Sequence, residues 1–122
     1  MQLIVCATTA RTPLFDGTLV PADCCVVTVG SHEADARELD SALPARSQLV
    51  VEDAATARRE AGDVILALAE GAIEPGNLVP LRDLARGTVA AETARPRVFK
   101  STGMSWEDLV IATTVHRAAP AG

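Results

Sequence analysis

The sequence is poor in aromatic residues and in lysine. Phe15, Phe99 and Trp106 are the only aromatic side chains, tyrosine is absent, and Lys100 is the single lysine. Proteins that bind single-stranded nucleic acid stack bases on aromatic rings beside a basic groove. The formal net charge here is -5, which is the wrong sign for such a groove. We therefore predict that nucleic acid is not a partner.

Long apolar runs and paired cysteines are also missing. No stretch approaches the roughly 18 apolar residues of a membrane span, and the opening MQLIVCATTARTP lacks the basic start and apolar core of a signal peptide. We predict a cytoplasmic protein with no membrane partner. Cys6, Cys24 and Cys25 form no C-x-x-C pair and have no histidine at ligand spacing. We interpret them as buried, reduced thiols and predict no metal site.

The pattern that is present belongs to the α/β class. Short apolar runs alternate with helical patterns across short connections, which predicts βαβ units and a largely parallel sheet in one domain of 122 residues. The predicted strands are Leu3–Ala7, Cys24–Val29, Gln48–Val51 and Val98–Phe99. The predicted helices are 35–43, 55–61 with Asp53 as its cap, 63–70, 81–86, and 105–116 with a Ser105/Asp108 capping box.

Polar and small residues follow three of these strands. The segments are Ala7-Thr8-Thr9, Gly30-Ser31-His32 and Ser101-Thr102-Gly103. In open parallel sheets, ligands bind at the carboxyl ends of the strands. Glycine permits close approach of a ligand to the backbone, and hydroxyl and N–H groups hold phosphate or ribose oxygens. The three segments indicate a nucleotide or similar polar ligand; ordinary turn chemistry is the alternative interpretation.

His32 is the candidate acid–base residue. It follows a buried strand and a glycine, and imidazole exchanges protons near neutral pH. The alternative is a surface histidine that caps the helix predicted to begin near Asp35. The nearby acids Glu33, Asp35, Glu38 and Asp40 are interpreted as the solvated face of that helix.

A G-x-G-x-x-G turn is absent, and no strand precedes Leu3 to carry one. The pyrophosphate-binding turn of a dinucleotide site is therefore expected to be missing from this chain.

Four strings carry a resemblance to a known family. They are IVCATTARTPLFDG, VVTVGSHEADARELD, QLVVEDAATARREAGD and VFKSTGMSWEDL. In order and spacing they resemble the ornithine cyclodeaminase/mu-crystallin family. The resemblance implies a partial Rossmann-like, doubly wound parallel sheet, namely the C-terminal half of an NAD(P)-binding domain over residues 1–122. It also implies NAD or NADP as cofactor and hydride transfer at the α-carbon of a small amino or cyclic imino acid.

The resemblance also assigns residues. By position, Ala7 and Thr8 would lie along the adenosine side of the cofactor. Val29, Gly30 and Ser31 would pass beneath the nicotinamide and its ribose. Ser101 and Gly103 would contact the nicotinamide end or the substrate carboxylate.

His32 stands where cyclodeaminases of this family have an aspartate. This departure favours an imine reductase or an amino-acid dehydrogenase over ornithine cyclodeamination.

The resemblance further implies that an N-terminal substrate and dimerisation domain, and the glycine-rich half of the nucleotide domain, are absent. We expect activity only in a longer or complementing chain. The alternative is a non-catalytic remnant or a self-associating α/β binding module. An uncovered sheet edge at Leu3 predicts an oligomer or a complementing partner chain.

Overall fold

A computed structural model of the chain, described for residues 2–120, contains five strands and five α-helices. The strands are β1 (Leu3–Cys6), β2 (Cys25–Thr28), β3 (Gln48–Val51), β4 (Leu78–Pro80) and β5 (Arg97–Lys100). The helices are α1 (Ala42–Arg46), α2 (Ala54–Glu60), α3 (Gly62–Ala69), α4 (Leu81–Ala85) and α5 (Ser105–Ala118). None of the helices in this described range is long and apolar enough to cross a membrane.

All five strands form one parallel sheet in the order β1-β2-β5-β3-β4. The last strand in sequence is inserted between β2 and β3. The carboxyl ends of β1, β2, β5 and β3 are therefore neighbours along one edge. The predicted α/β class with a parallel sheet is confirmed.

One face of the sheet carries the core. Cys6, Val26, Val98 and Val51 point to this face and are buried against α1, α2 and α3. The helices contribute small residues such as Ala57, which allow close approach to the strands. Full burial of a valine side chain stabilises the fold by about 1.5–3 kcal/mol.

The opposite face is largely open. Leu3 is 64% exposed and Val5 is 60% exposed on the edge strand β1. The short helix α4 packs beside β4 and leaves β1 uncovered, while Cys25 and Val27 of β2 are half-buried on this face. Helix α5 has no buried residue, and Trp106 and Leu109 on it are more than half exposed. Both surfaces are apolar and have no covering element within residues 2–120.

The helix predicted over 35–43 is wrong. Residues 35–40 are irregular, and helix α1 begins at Ala42. The backbone N–H groups of Glu38 and Leu39 donate to the Asp63 carboxylate, at 2.8 and 2.9 Å, and not to carbonyls one turn earlier. A tertiary contact therefore overrides the local helical pattern.

Two smaller predictions need correction, and one is confirmed. Strand β4 was missed because three residues ending in Pro80 are too short to give an alternating pattern; an edge position tolerates the proline. Ser105 is the first residue of α5 and not its cap. Glu107, not Asp108, accepts from the N–H of Met104, at 3.4 Å. Asp53 caps α2 as predicted and accepts from the N–H of Thr56 at 2.8 Å.

Candidate functional site

The three predicted segments lie side by side at the carboxyl edge of the sheet. The N–H of Val29 donates to the carbonyl of Cys6 at 2.9 Å, and the N–H of Ser101 donates to the carbonyl of Thr28 at 3.0 Å. These bonds extend the ladder just past the ends of β1, β2 and β5. The expected convergence of the segments is confirmed, whereas ligand binding by them stays a prediction.

A pocket of about 250 Å³ opens between the loops that follow β1 and β2. Its lining residues are Thr9, Ala10, Arg11, Gly30, Ser31, His32, Glu33 and Ala36. Arg11 ties the two loops together through ion pairs of 2.8 Å with Glu33 and with Asp35. These hydrogen bonds raise the pKa of Arg11, although an exposed pair contributes little to stability.

His32 is exposed and lines this pocket. The helix that it was alternatively expected to cap does not exist at residues 35–40. Within residues 2–120, no hydrogen bond engages its imidazole. The ring therefore lies on the open side of the pocket, where it can meet a ligand. Its acid–base role stays a prediction.

Three hydroxyl groups of these segments are engaged inside the protein. Thr8 Oγ1 donates to Glu38 Oε1 at 2.9 Å, and Ser101 Oγ donates to Glu52 Oε1 at 2.6 Å. The hydroxyl of buried Ser31 donates to the carbonyl of Ala36. These hydroxyl protons hold the loops in place, so a ligand in the pocket would meet backbone groups and the side chains of Thr9, Arg11 and His32.

Ala7 and Gly103 are exposed, and Val29 is half-buried at the end of β2. Gly103 has a φ of 73°, a conformation that L side chains rarely adopt. Gly30 serves a different purpose from the expected approach of a ligand. A Cβ there would lie 2.2 Å from the Thr8 carbonyl oxygen and 2.3 Å from Glu38 Oε1. Protein atoms therefore already occupy the space that its missing side chain leaves.

A buried charged cluster beneath the strand ends was missed by the sequence reasoning. Glu38, Asp63 and Lys100 are 0%, 4% and 1% exposed, and Lys100 Nζ lies 3.4 Å from Asp63 Oδ2. The interpretation of Glu38 as part of a solvated helix face is wrong. One signal was present in the sequence: Lys100 alternates with the buried Val98 along β5, and so shares its face.

The cluster shifts the pKa values of its members. Burial opposes ionisation of Glu38, but hydrogen bonds from Thr28, Thr8 and Gly30 outweigh it, and the pKa of Glu38 is lowered. Burial also lowers the pKa of Lys100, against the attraction of Asp63. The pKa of the Cys6 thiol is raised to about 11 by burial, with the Glu38 and Asp63 charges acting in the same direction.

The cysteines behave as interpreted from the sequence, with one exception. All of them are free thiols; Cys6 and Cys24 are buried, and Cys25 is only partly so. Among the described residues, no group of three or more His, Cys, Asp and Glu side chains is placed to hold a metal ion.

A sequence model of the ornithine cyclodeaminase/mu-crystallin family matches residues 1–122. The chain belongs to this family. It is 35% identical over 117 residues to the Δ1-pyrroline-2-carboxylate reductase of Colwellia psychrerythraea, and covers 37% of that protein with 93% of its own length. It is 33% identical to the mouse ketimine reductase mu-crystallin, of which it covers 37% with 99% of its length.

The fold agrees with that of family members. The Δ1-pyrroline-2-carboxylate reductase of Thermococcus litoralis, solved with NADH and L-proline, superposes with a TM-score of 0.89 at 31% identity. The match covers 94% of this chain and 36% of that one. This chain of the ornithine cyclodeaminase/mu-crystallin family thus spans little more than a third of the length of these relatives.

Proposed function

We propose that this chain forms the nicotinamide side of an NAD(P)(H) site in an oxidoreductase. The substrate class would be small amino or cyclic imino acids, with hydride transfer at the substrate α-carbon. The observation that carries the proposal is the superposition, over 94% of the chain, on a reductase solved with NADH and L-proline. The strand ends that converge at one edge of the parallel sheet support it, because such edges are where these sheets bind ligands.

The residues present fit one part of such a cofactor. Gly30 and Ala10 line the pocket of about 250 Å³ without a bulky side chain, and the pocket has room for a ring-sized group. Complete ligand pockets measure about 300–1,000 Å³. No G-x-G-x-x-G turn stands in the sequence to bind a pyrophosphate. We therefore propose that residues 1–122 act as a partial nucleotide domain, and that residues outside it hold the remainder of the cofactor.

The chemistry would divide between the cofactor and the chain. When bound, the nicotinamide supplies or accepts the hydride. The His32 imidazole would donate a proton to the substrate nitrogen during reduction of an imine, or take it during oxidation of an amine. Ser101 and Gly103, one strand further along the edge, would position the nicotinamide end or the substrate carboxylate.

The test begins with titration of the chain with NADH and NADPH, followed by Trp106 fluorescence and by calorimetry. Saturable binding is expected; its absence at millimolar cofactor would exclude the site in this chain. Turnover of a cyclic imine is then compared in a longer or complemented chain that contains residues 1–122, between His32→Gln and the matched control His116→Gln, which changes the other histidine on exposed helix α5. We expect about a 10²–10⁴-fold loss of turnover in the first variant and none in the control.

A second candidate function, a non-catalytic module that self-associates, is favoured by the uncovered apolar surfaces. Leu3 and Val5 are 64% and 60% exposed on an edge strand whose outer backbone groups invite pairing. Sedimentation of Leu3→Lys/Val5→Lys tests it against Leu19→Lys, a site that is 77% exposed outside the sheet. Dissociation by the double variant alone supports the module, whereas a wild-type monomer contradicts it.

The sequence-based prediction of a cytoplasmic location stays a prediction.

A further inference from the structure

The Glu38 carboxylate joins the ends of two strands. Its Oε1 accepts from the N–H of Thr8 at 2.7 Å and from Thr8 Oγ1 at 2.9 Å. Its Oε2 accepts from the N–H of Gly30 at 2.9 Å and from Thr28 Oγ1 at 2.5 Å. One side chain thus receives backbone donors from the two loops that follow β1 and β2, and these loops line the candidate pocket.

The backbone of Glu38 is in turn held by the Asp63 carboxylate. Asp63 Oδ1 accepts from the N–H of Glu38 at 2.8 Å, and Asp63 Oδ2 lies 3.4 Å from Lys100 Nζ on β5. Lys100 precedes Ser101, so the third predicted segment is connected to the same cluster. Buried networks in which the acceptors are saturated hold their parts in one arrangement.

Glu38 does not line the pocket; its effect passes through the backbone of Gly30, two residues before His32. The tight packing at Gly30 leaves the loop little freedom, because a Cβ there would lie 2.3 Å from Glu38 Oε1.

We propose that Glu38 is a positioning residue that sets the spacing of the β1 and β2 loops, and thereby the place of His32 at the site. The functional part of this inference rests on the function proposed above. Glu38 would not touch cofactor or substrate, and its contribution is to fix the groups that do.

Glutamine is an informative substitute because it keeps the shape of the side chain. Each carboxylate oxygen of Glu38 faces one hydroxyl and one backbone N–H. A hydroxyl can rotate and accept from the new amide NH₂ group, but a backbone N–H cannot. In either orientation of Glu38→Gln, therefore, one of the Thr8 and Gly30 N–H groups faces a donor and loses its partner.

The first measurement is nuclear magnetic resonance of the labelled chain. In the wild type, we expect scalar couplings across hydrogen bonds from the Thr8 and Gly30 amide nitrogens to the Glu38 carboxyl carbon. In Glu38→Gln, one of the two amides should exchange with solvent at least tenfold faster, with shifts at His32. Glu70→Gln is the matched control, since this exposed carboxylate accepts from Ser41 and Arg37 and should change neither amide. Absent couplings, or unchanged amides and His32 in folded Glu38→Gln, would overturn the proposal.

The second measurement is NADH affinity. We expect it to fall about tenfold in Glu38→Gln, because the displaced loop after β2 would no longer hold Gly30 and Ser31 in place for the nicotinamide, and to stay unchanged in Glu70→Gln. If Glu38→Gln does not fold, Glu38→Asp replaces it, because its carboxylate reaches about 1.5 Å less far. If a folded Glu38 variant has a fast-exchanging Thr8 or Gly30 amide but binds NADH as tightly as the wild type, the role of Glu38 in cofactor binding would be overturned. A wild-type chain that binds no NADH would refute the proposed function, and the couplings and His32 shifts would still decide the role of Glu38 in the loops.

Discussion

The ion pair between Lys100 and Asp63 offers the sharpest test of the structure. Both residues are nearly inaccessible, at 1% and 4% exposure, and their charged atoms lie 3.4 Å apart. Asp63→Asn keeps an oxygen for the N–H groups of Glu38 and Leu39. It also places an amide NH₂ group against the Lys100 ammonium, which would then be buried without a counter-charge.

The expected loss follows from this geometry. Two unit charges 3.4 Å apart attract by about 5 kcal/mol at an effective dielectric constant of about 20. Removal of one member of a buried pair typically costs about 3–5 kcal/mol. We expect that loss in Asp63→Asn. Lys100→Met should lose less, because Asp63 retains its backbone donors. The double variant should be more stable than Asp63→Asn, since the unpaired cation is gone.

Urea unfolding of the four proteins measures these free energies. The structure requires a coupling on the order of 0.5–3 kcal/mol between the two substitutions. Burial already lowers the pKa of Lys100 from its ordinary 10.5, so between the folded and unfolded pKa values the unfolded state binds more protons. The stability of Asp63→Asn should therefore rise with pH in that range. Additive losses, or the same deficit at every pH, would refute the burial of an ion pair.

Three further predictions concern other parts of the fold. Gly62→Ala should cost more than about 3 kcal/mol in thermal unfolding, because its Cβ would lie 1.8 Å from the Ala36 carbonyl oxygen; Gly76→Ala meets nothing within 4 Å and should stay within about 0.5 kcal/mol. In thiol labelling at pH 8, Cys25 should react before Cys6, whose pKa is raised to about 11; equal rates would contradict the burial. Glu38 stabilises the fold above pH 4.5, its ordinary pKa, because its pKa is lowered in the folded state. This stabilisation is lost as the pH falls through that lowered pKa. The urea midpoint of Glu38→Gln should lack this loss between pH 5 and about 2.

The amino-acid sequence determined much of this protein without help from the structure. The apolar run 49–51 is buried on both faces of the sheet, as such runs predict, and helical patterns can likewise be recognised from local sequence. The cap at Asp53, the convergence of three strand ends and membership of the ornithine cyclodeaminase/mu-crystallin family all follow from local strings. Each was predicted from short strings of residues, although the pairing that brings the strand ends together is made between distant parts of the chain.

The tertiary structure alone determined which of the acidic side chains in residues 33–40 are buried. Glu38 lies near Glu33, Asp35 and Asp40 in sequence, and nothing local separates it from the exposed Glu33 and Asp35. Its burial depends on donors 30 residues away at Thr8 and on Asp63, 25 residues in the other direction. Long-range partners also determined that residues 35–40 leave the helical pattern, and that β5 enters the sheet between β2 and β3. A buried charge is stable only when hydrogen-bonding or oppositely charged groups lie beside it. The positions of those groups are set by the packing of the whole sheet.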